Sequence, residues 1–369
     1  MTEASHITVG GAPEGFDAQL ILKEIAKTGA PVCHVARDDK RMEAMRAALA
    51  FFAPEMPVIA FPGWDCLPYD RVSPNANISA ARMATLAALV HQMPQQFVLL
   101  TTLNAASQRV PAREVLREAA FTARVGHRVD EAALRAFLVR MGFSQSPTVT
   151  EPGDYAVRGG IIDIYPPGNA GPVRLDLFGD VLDGARRFDP ATQRTTEKLD
   201  VVELAPVSEV ILDEAAILRF RQNYRIEFGA AGTDDPLYEA VSAGRKHQGI
   251  EHWLPFFHER LETLFDYLPG ATVTLDDQVT PSRLARWDSI ADQYETRRLA
   301  MQAKTRIDTV YKPIPPDLLF LDDAAWQAAV SGRRQLQFNP LPQASGPGVI
   351  DAGGRIGRNF APERQQENV

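Results

Sequence analysis

A glycine loop near the start of the chain has a spacing that could bind phosphate. Gly10 and Gly15 are separated as in phosphate-binding P-loops, and the loop follows a candidate strand and opens a candidate helix. A working loop also needs a lysine for the β- and γ-phosphates and a serine or threonine for magnesium, but Phe16 and Asp17 hold these positions. Asp17 would place a negative charge beside the phosphates. The sequence therefore predicts an ordinary turn or a relic loop without nucleotide-binding function.

Two other groups of polar residues could perform acid–base chemistry. Asp65 and Asp70 lie in the string FPGWDCLPYDRVSP, and Glu251 precedes His252 in the string GIEHWLPFF. Such groups can transfer protons when a partner base is in reach, but no histidine accompanies the two aspartates. The structural alternative is an ordered loop with Asx-type turns for the first string and aromatic packing for the second. We favour the structural roles and predict no catalytic residue.

The composition indicates a globular protein of two or three domains. The chain has 369 residues, of which 45% are hydrophobic and 23% are charged. Its formal charge of −8 disfavours a general nucleic-acid binder, because contacts to phosphate favour basic surfaces.

The two cysteines and the N-terminus bear on the compartment. Cys33 and Cys66 each lie in an apolar, strand-like setting, which predicts buried and reduced thiols in the cytoplasm. A zinc site would need more cysteine or histidine at close spacing, so no metal and no cofactor is predicted. No apolar run reaches the length of a membrane span, and the N-terminus lacks the pattern of a secretory signal.

Three residues of one predicted strand pair could form a protein-binding site. The pattern predicts strands over residues 155–165 and 173–178, joined by a turn rich in proline and glycine. Arg174 and Phe178 are four residues apart and so lie on one face, and Arg158 on the neighbouring strand is expected to join them. An exposed aromatic ring between two guanidinium groups is the composition of a binding hot spot.

The same residues also fit a structural role. The arginines could form surface ion pairs with Asp163, Asp176 or Asp180, and Phe178 could belong to the core. The residues alone do not decide between these two interpretations.

Alternating strands and helices at both ends of the chain predict an α/β fold with a parallel sheet. The block of residues 1–119 predicts strands and helices in alternation, at 7–9, 18–28, 31–35, 40–52, 58–61, 78–91 and 97–101. Residues 208–340 predict helices at 214–228, 236–244 and 281–306 and a strand at 271–275. The block between, 120–207, predicts a small α+β domain with a helix at 130–141 and strands at 155–165, 173–178, 182–188 and 199–203. Residues 341–369 read as a flexible linker or tail.

Three strings of the chain resemble two families of excision-repair proteins. Residues 150–180 resemble the second domain of UvrB and of the transcription-repair coupling factor Mfd. The string WDCLPYDRVSP resembles the Mfd segment W-E-T-L-P-Y-D-x-x-S-P, and GIEHWLPFF resembles the shared segment G-I-E-x-W-x-P-x-F. The resemblance spans roughly residues 15–340, with the strings in the same order and spacing.

Two departures favour Mfd over UvrB. UvrB has a working P-loop, whereas Phe16 and Asp17 replace its lysine and serine or threonine here. UvrB also inserts a long aromatic hairpin that clamps damaged DNA, whereas only about three residues separate Pro74 from the next predicted helix. The chain is therefore identified as similar to the N-terminal, UvrB-like module of Mfd, without ATP hydrolysis and without the DNA clamp.

The resemblance implies an architecture and a partner. It implies a degenerate RecA-like α/β domain formed by residues 1–119 and 208–340, interrupted by an inserted α+β domain, 120–207, that binds the damage sensor UvrA. The UvrA-contacting residues of the Mfd family fall on Arg158, Arg174 and Phe178, which favours the binding role for these three.

Whole Mfd proteins are longer than this chain, and the resemblance implies functions that lie elsewhere. They add a domain that contacts RNA polymerase, motor domains that use ATP and magnesium to translocate on DNA, and a C-terminal domain thought to mask the UvrA-binding face. The chain is expected to be a fragment or truncated product that recruits UvrA where RNA polymerase has stalled, with DNA and polymerase contacts made only by domains absent here. A UvrB-like ATPase and a purely structural or autoinhibitory module remain alternatives.

Overall fold

A computed structural model describes residues 6–91, 93–229, 235–303 and 311–357 of the chain. The strands are, in chain order, β1 (His6–Gly10), β2 (Val32–Ala36), β3 (Val58–Phe61), β4 (Val98–Thr102), β5 (Val110–Pro111), β6 (Phe121–Arg124), β7 (Ser144–Gln145), β8 (Asp154–Arg158), β9 (Ile161–Ile164), β10 (Val173–Phe178), β11 (Val181–Phe188), β12 (Thr195–Leu199), β13 (Val201–Leu204), β14 (Leu261–Glu262), β15 (Thr272–Leu275), β16 (Gln335–Phe338) and β17 (Val349–Asp351).

The α-helices are α1 (Phe16–Thr28), α2 (Asp39–Phe52), α3 (Ala76–His91), α4 (Leu103–Ala106), α5 (Arg113–Glu118), α6 (Glu131–Arg140), α7 (Glu214–Phe228), α8 (Pro236–Ser242), α9 (Val279–Gln302) and α10 (Asp323–Val330). Short 3-10 helices span Ile250–Phe256, Leu264–Tyr267 and Pro316–Leu318. No helix in the described ranges is both long and apolar enough to cross a membrane.

The larger sheet has seven strands in the order β17-β1-β16-β15-β2-β4-β3, and every neighbouring pair is parallel. Its strands come from the two ends of the chain. The sheet is covered on both faces, so that in β4 Leu100 packs on the side of α1 and α2, and Leu99 packs on the side of α3 and α10. The prediction of an α/β fold with a parallel sheet is confirmed.

The smaller sheet has six strands in the order β12-β11-β10-β9-β8-β7, antiparallel except for the β7–β8 pair. Helix α6 covers one face, where Leu134 and Phe137 share a core with Ile162 and Leu175. A third core, rich in aromatic side chains, gathers α7, α8 and the 250–256 segment around Phe220. Helix α3 contributes to the first two cores, since Met83 packs in one and Ala80 in the other.

Two strand predictions in the smaller sheet were wrong. The continuous strand predicted over 155–165 is a hairpin, in which Gly159 and Gly160 form the turn between β8 and β9. Gly159 has a φ of 62°, which a two-residue hairpin turn requires and glycine adopts without a steric cost. The strand predicted over 199–203 is divided at Asp200, where the chain leaves β12 and enters β13 of a separate two-stranded sheet.

The linker predicted over 341–369 contains a strand. Strand β17 pairs in parallel with β1, with Thr8 opposite Val349 and Gly10 opposite Asp351. Residues 358–369 of the predicted linker, and residues 304–306 of the helix predicted over 281–306, lie outside the described residues.

A buried ion pair joins α3 to the chain beyond β13. Arg82 Nη2 and Nε donate hydrogen bonds to Glu209 Oε1 at 2.8 and 3.1 Å, and the two side chains are 0% and 2% exposed. Trp64 Nε1 donates to the second carboxylate oxygen at 2.9 Å, and the His258 ring lies 2.8 Å from the Glu209 carbonyl. Arg82 also donates to the carbonyl of Pro62. These contacts tie three distant segments together.

Replacing Arg82 by alanine is expected to lower the free energy of unfolding by about 3–5 kcal/mol, because it leaves the buried Glu209 carboxylate unpaired. Urea denaturation measures this. The matched control is Arg46→Ala, which removes an exposed ion pair with Glu43 and should change stability by less than about 0.5 kcal/mol. Equal effects of the two substitutions would contradict a central role for the buried pair.

Candidate partner-binding site

Arg158, Arg174 and Phe178 lie on the face of the smaller sheet opposite α6. Side chains alternate along each strand, and Leu175 points to the α6 core while Arg174 points away. Arg158 pairs with Ile161, which alternates with the core residue Ile162, so the Arg158 side chain lies on the same face as Arg174. We call this side the outward face. It differs from the prediction in two respects, because β9 lies between Arg158 on β8 and the other two residues on β10, and because Asp163 rather than Phe178 lies between the two arginines.

Asp163 on β9 is the centre of the site. Its carboxylate is 2% exposed and accepts two hydrogen bonds from Arg174, from Nε at 2.7 Å and from Nη2 at 2.9 Å. The Arg174 guanidinium also lies over the Phe188 ring, 4.8 Å from its centroid. The hydrogen bonds to Asp163 raise the pKa of Arg174. The structural alternative of an ion pair therefore holds for Arg174, although 23% of its side chain stays exposed.

Phe178 ends β10 and is 83% exposed, so the alternative of a core residue is wrong for this position. It precedes Gly179, whose φ of 65° turns the chain into β11. Ile161 lies diagonally across from it on the same face and is 39% exposed. Ile161 was not predicted as a site residue, although its alternation with the buried Ile162 indicates an outward side chain.

Arg158 extends from β8 at the edge of this patch. Its Nη1 lies 4.0 Å from Asp163 Oδ2, and its Nη2 donates to the carbonyl of Pro147. Half of the side chain remains exposed. Asp163 therefore lies between the two arginines, while the Phe178 ring is exposed to solvent next to the turn between β10 and β11. This arrangement can present a flat aromatic ring and two oriented guanidinium groups to another protein.

The glycine loop is filled by the chain itself. The amides of Gly11 and Ala12 donate to the carbonyls of Leu341 and Asn339 at 2.8 and 2.9 Å. A Cβ added to Gly10 would lie 2.5 Å from side-chain atoms of Gln343. In a P-loop such backbone amides point at the bound phosphate, whereas here they donate hydrogen bonds to carbonyl groups of the same chain.

Asp17 caps this loop from inside. Its Oδ1 accepts hydrogen bonds from the amides of Gly15 and Ala18 at 2.9 and 2.8 Å, and its other oxygen pairs with Arg41. Arg41 Nε lies 3.3 Å from the buried Asp276 carboxylate as well. Burial raises the pKa of Asp17 to about 6 despite the nearby guanidinium, and burial also raises the pKa of Asp276. Two buried carboxylates thus share one arginine.

The other candidate residues have structural contacts. Asp65 accepts a hydrogen bond from the amide of Asn75 at 2.9 Å, and Asp70 accepts one from the amide of Arg71 at 2.7 Å. His252 is buried, which lowers its pKa to about 4, and its ring meets the Trp64 ring edge-on.

The surroundings of the two cysteines and the start of α3 were also predicted from the sequence. Cys33 is buried, but Cys66 is half-buried in a loop, so the strand-like setting predicted for it was wrong. Helix α3 begins at Ala76, two positions after Pro74, which leaves a short connection where a long hairpin would be inserted. In the described part of the chain, no group of three or more His, Cys, Asp or Glu side chains could hold a metal ion.

Residues 121–209 match the UvrB interaction domain family. The matched segment contains the whole six-stranded sheet, with the outward face and its three candidate residues. This segment of the chain is therefore similar to a UvrB interaction domain.

Over most of its length the chain is also similar to bacterial transcription-repair-coupling factors. It is 33% identical to that of Escherichia coli over 338 residues, 31% identical to that of Haemophilus influenzae over 319 residues, and 34% identical to that of Myxococcus xanthus over 304 residues. These matches cover 90%, 86% and 75% of this chain but only 28%, 27% and 24% of the relatives. The resemblance to this family is confirmed, and the chain spans about a quarter of the length of these relatives.

Asp17→Asn is expected to flatten the pH dependence of stability. A carboxyl group whose pKa rises from 3.8 to about 6 on folding favours the native state below pH 3.8, and this contribution is lost as the pH rises through 6. The shift integrates to at most roughly 3 kcal/mol. From neutral pH down to about pH 5, wild type should therefore gain stability relative to the Asn variant, as urea denaturation at several pH values measures. Parallel pH profiles for the two proteins would contradict the raised pKa.

Proposed function

We propose that the chain is the N-terminal, UvrB-like module of a transcription-repair-coupling factor and recruits UvrA to lesions where RNA polymerase has stalled. The observation that carries the proposal is the coincidence of two features. The segment that matches the UvrB interaction domain is also the one that exposes an aromatic ring on the same face as two arginines. Nucleotide excision repair would then begin where transcription has stopped.

The three residues would contribute in different ways to UvrA binding. Phe178 would be the anchor, because a largely exposed ring buries a large apolar area when a partner covers it. Arg174 would present a guanidinium held in place by Asp163, which reduces the entropy lost on binding. Arg158 would act at the rim, where a half-exposed charge contributes mainly to orientation and rate.

We further propose the domain organisation that the resemblance implies. Residues 1–119 and 208–340 would form one degenerate RecA-like domain, and residues 120–207 would be the inserted UvrA-binding domain. Support comes from the large parallel sheet, six of whose strands come from the two outer blocks and the seventh, β17, from the residues after them, and from the glycine loop after strand β1.

The enzymatic functions of the family would belong to the remaining three quarters of the relatives' length. ATP-dependent translocation on DNA, displacement of RNA polymerase, and masking of the UvrA-binding face by a C-terminal domain would all need those parts. This chain would not hydrolyse ATP, since its glycine loop is filled by its own residues and Asp17 faces the loop amides. It would need no cofactor.

Phe178→Ala is expected to weaken binding to purified UvrA by about 30-fold or more, because it removes the anchor of the interface. Isothermal titration calorimetry measures the affinity. The matched control is Ile226→Ala on α7, an equally exposed apolar side chain distant in sequence from the smaller sheet, which should leave the affinity unchanged. Wild-type affinity in the Phe178 variant would sink the assignment of this face to UvrA.

A substitution at the exposed Phe178 tests binding without breaking a buried ion pair. Arg174 neutralises the buried Asp163, so replacing it would destabilise the domain whatever its role in binding. If wild type itself fails to bind UvrA, a purely structural or autoinhibitory module becomes the better explanation. The isolated C-terminal domain of the family would then be tested as the ligand of the same face.

The pure chain is expected to show no ATP hydrolysis and weak or no binding to duplex DNA. Its charge of −8 opposes contacts to phosphate, and the clamp hairpin of UvrB has no counterpart between Pro74 and α3. A coupled ATPase assay and fluorescence anisotropy with a labelled duplex measure the two activities. Steady ATP turnover would instead favour the UvrB-like ATPase.

A further inference from the structure

The outward face carries a row of charged side chains that continues beyond Arg174. In the strand register Asp163 lies opposite Arg174, Arg174 opposite Arg186, and Arg186 opposite Lys198. Residues directly opposite one another in a sheet share a face, so all of these side chains are on the outward face. The row crosses three interstrand spacings, which is roughly 14 Å.

The row places three cations side by side. Like charges directly opposite each other destabilise a sheet, so this arrangement costs folding free energy. Two of the cations are compensated locally, Arg174 by Asp163 and Arg186 by Asp176 on β10. Lys198 is exposed and has no ion pair within the described parts of the chain. The outer end of the row is therefore positive in a protein whose net charge is −8.

The fold gains little from the outer two cations. The Arg186 side chain is 44% exposed and pairs only with the partly exposed Asp176 among the described residues, and Lys198 is exposed. Gly184 lies opposite Asp176 and has no side chain to cover it, since a Cβ added at Gly184 would lie 3.6 Å from Asp176 Oδ2. Proteins depart from favourable local arrangements mainly at functional sites, which indicates a use for these charges in binding.

We propose that the UvrA-docking surface extends across the sheet from Phe178 to Lys198, and that Arg186 and Lys198 face an acidic strip on UvrA. The inference rests on the proposed function. The extended surface is continuous, since Asp176 and Arg174 connect the aromatic anchor to the two outer cations. Exposed charges at the rim of an interface act mainly by steering the encounter, so the pair speeds association more than it slows dissociation.

The test is association kinetics of the chain with immobilised UvrA at low and at physiological ionic strength. Arg186→Gln combined with Lys198→Gln should lower the association rate constant about tenfold and flatten its dependence on salt, with a smaller change in the dissociation rate. Lys198→Arg in an otherwise wild-type chain should keep the rate. The matched control is Arg135→Gln, which removes an exposed cation paired with Glu131 on α6, the helix behind the sheet.

Three outcomes would overturn the inference. If the double variant associates like wild type while Phe178→Ala fails to bind, the proposed function stands and the extension is wrong. If the double variant associates normally but aggregates, Lys198 protects the edge strand β12 from pairing with other chains. If it loses only an affinity for a labelled DNA duplex, the row contacts phosphates. Absence of any binding by wild type would remove the proposed function as well.

Discussion

The structure depends on the ion pair between Arg82 and Glu209, because neither charge can leave water without the other. Arg82 belongs to α3, which packs against the parallel sheet, and Glu209 is the last residue of the segment that matches the UvrB interaction domain. Trp64 donates a hydrogen bond to the second oxygen of this carboxylate, and the His258 ring contacts the backbone carbonyl of Glu209. The pair thus joins helix α3 to the end of the matched segment at a buried point, where hydrogen bonds fix both the direction and the distance of the contact.

The same requirement, that a buried charge must be neutralised locally, explains the glycine loop. A P-loop holds positive groups toward an external phosphate, whereas Asp17 brings a negative group from within and is matched by Arg41. The loop amides then find partners in the chain, in Leu341, Asn339 and Asp17 itself. The fold itself therefore satisfies the donors of this loop, and Gln343, in the segment leading to β17, occupies the space beside Gly10.

Sequence patterns predicted the parts of this fold that depend on neighbouring residues. Strand β10 and helix α7 agree residue for residue with the predicted ranges 173–178 and 214–228, because apolar periodicity is local. Strand β17 could not be predicted in this way, since it exists only by pairing with β1, more than three hundred residues earlier. Gly159 and Gly160 are residues typical of a turn, but the apolar residues on both sides favoured the prediction of one continuous strand. Alternation predicted that Arg174 and Phe178 share a face, yet it carries no information on which part of that face another segment covers.

The segment around Val149 covers part of the outward face and thereby determines which of its side chains stay exposed. Val149 packs with Ala156 and Phe188 over one end of the face, and this cover removes Asp163 from water. Once buried, the Asp163 carboxylate must hold Arg174 in a fixed, two-bonded geometry, with the guanidinium stacked on Phe188. The other end has no such cover among the described residues, and Phe178 stays in water. Rigid polar groups near an uncovered aromatic ring would lose little entropy on binding a partner, so the burial that stabilises one half of the face would also favour binding at the other half.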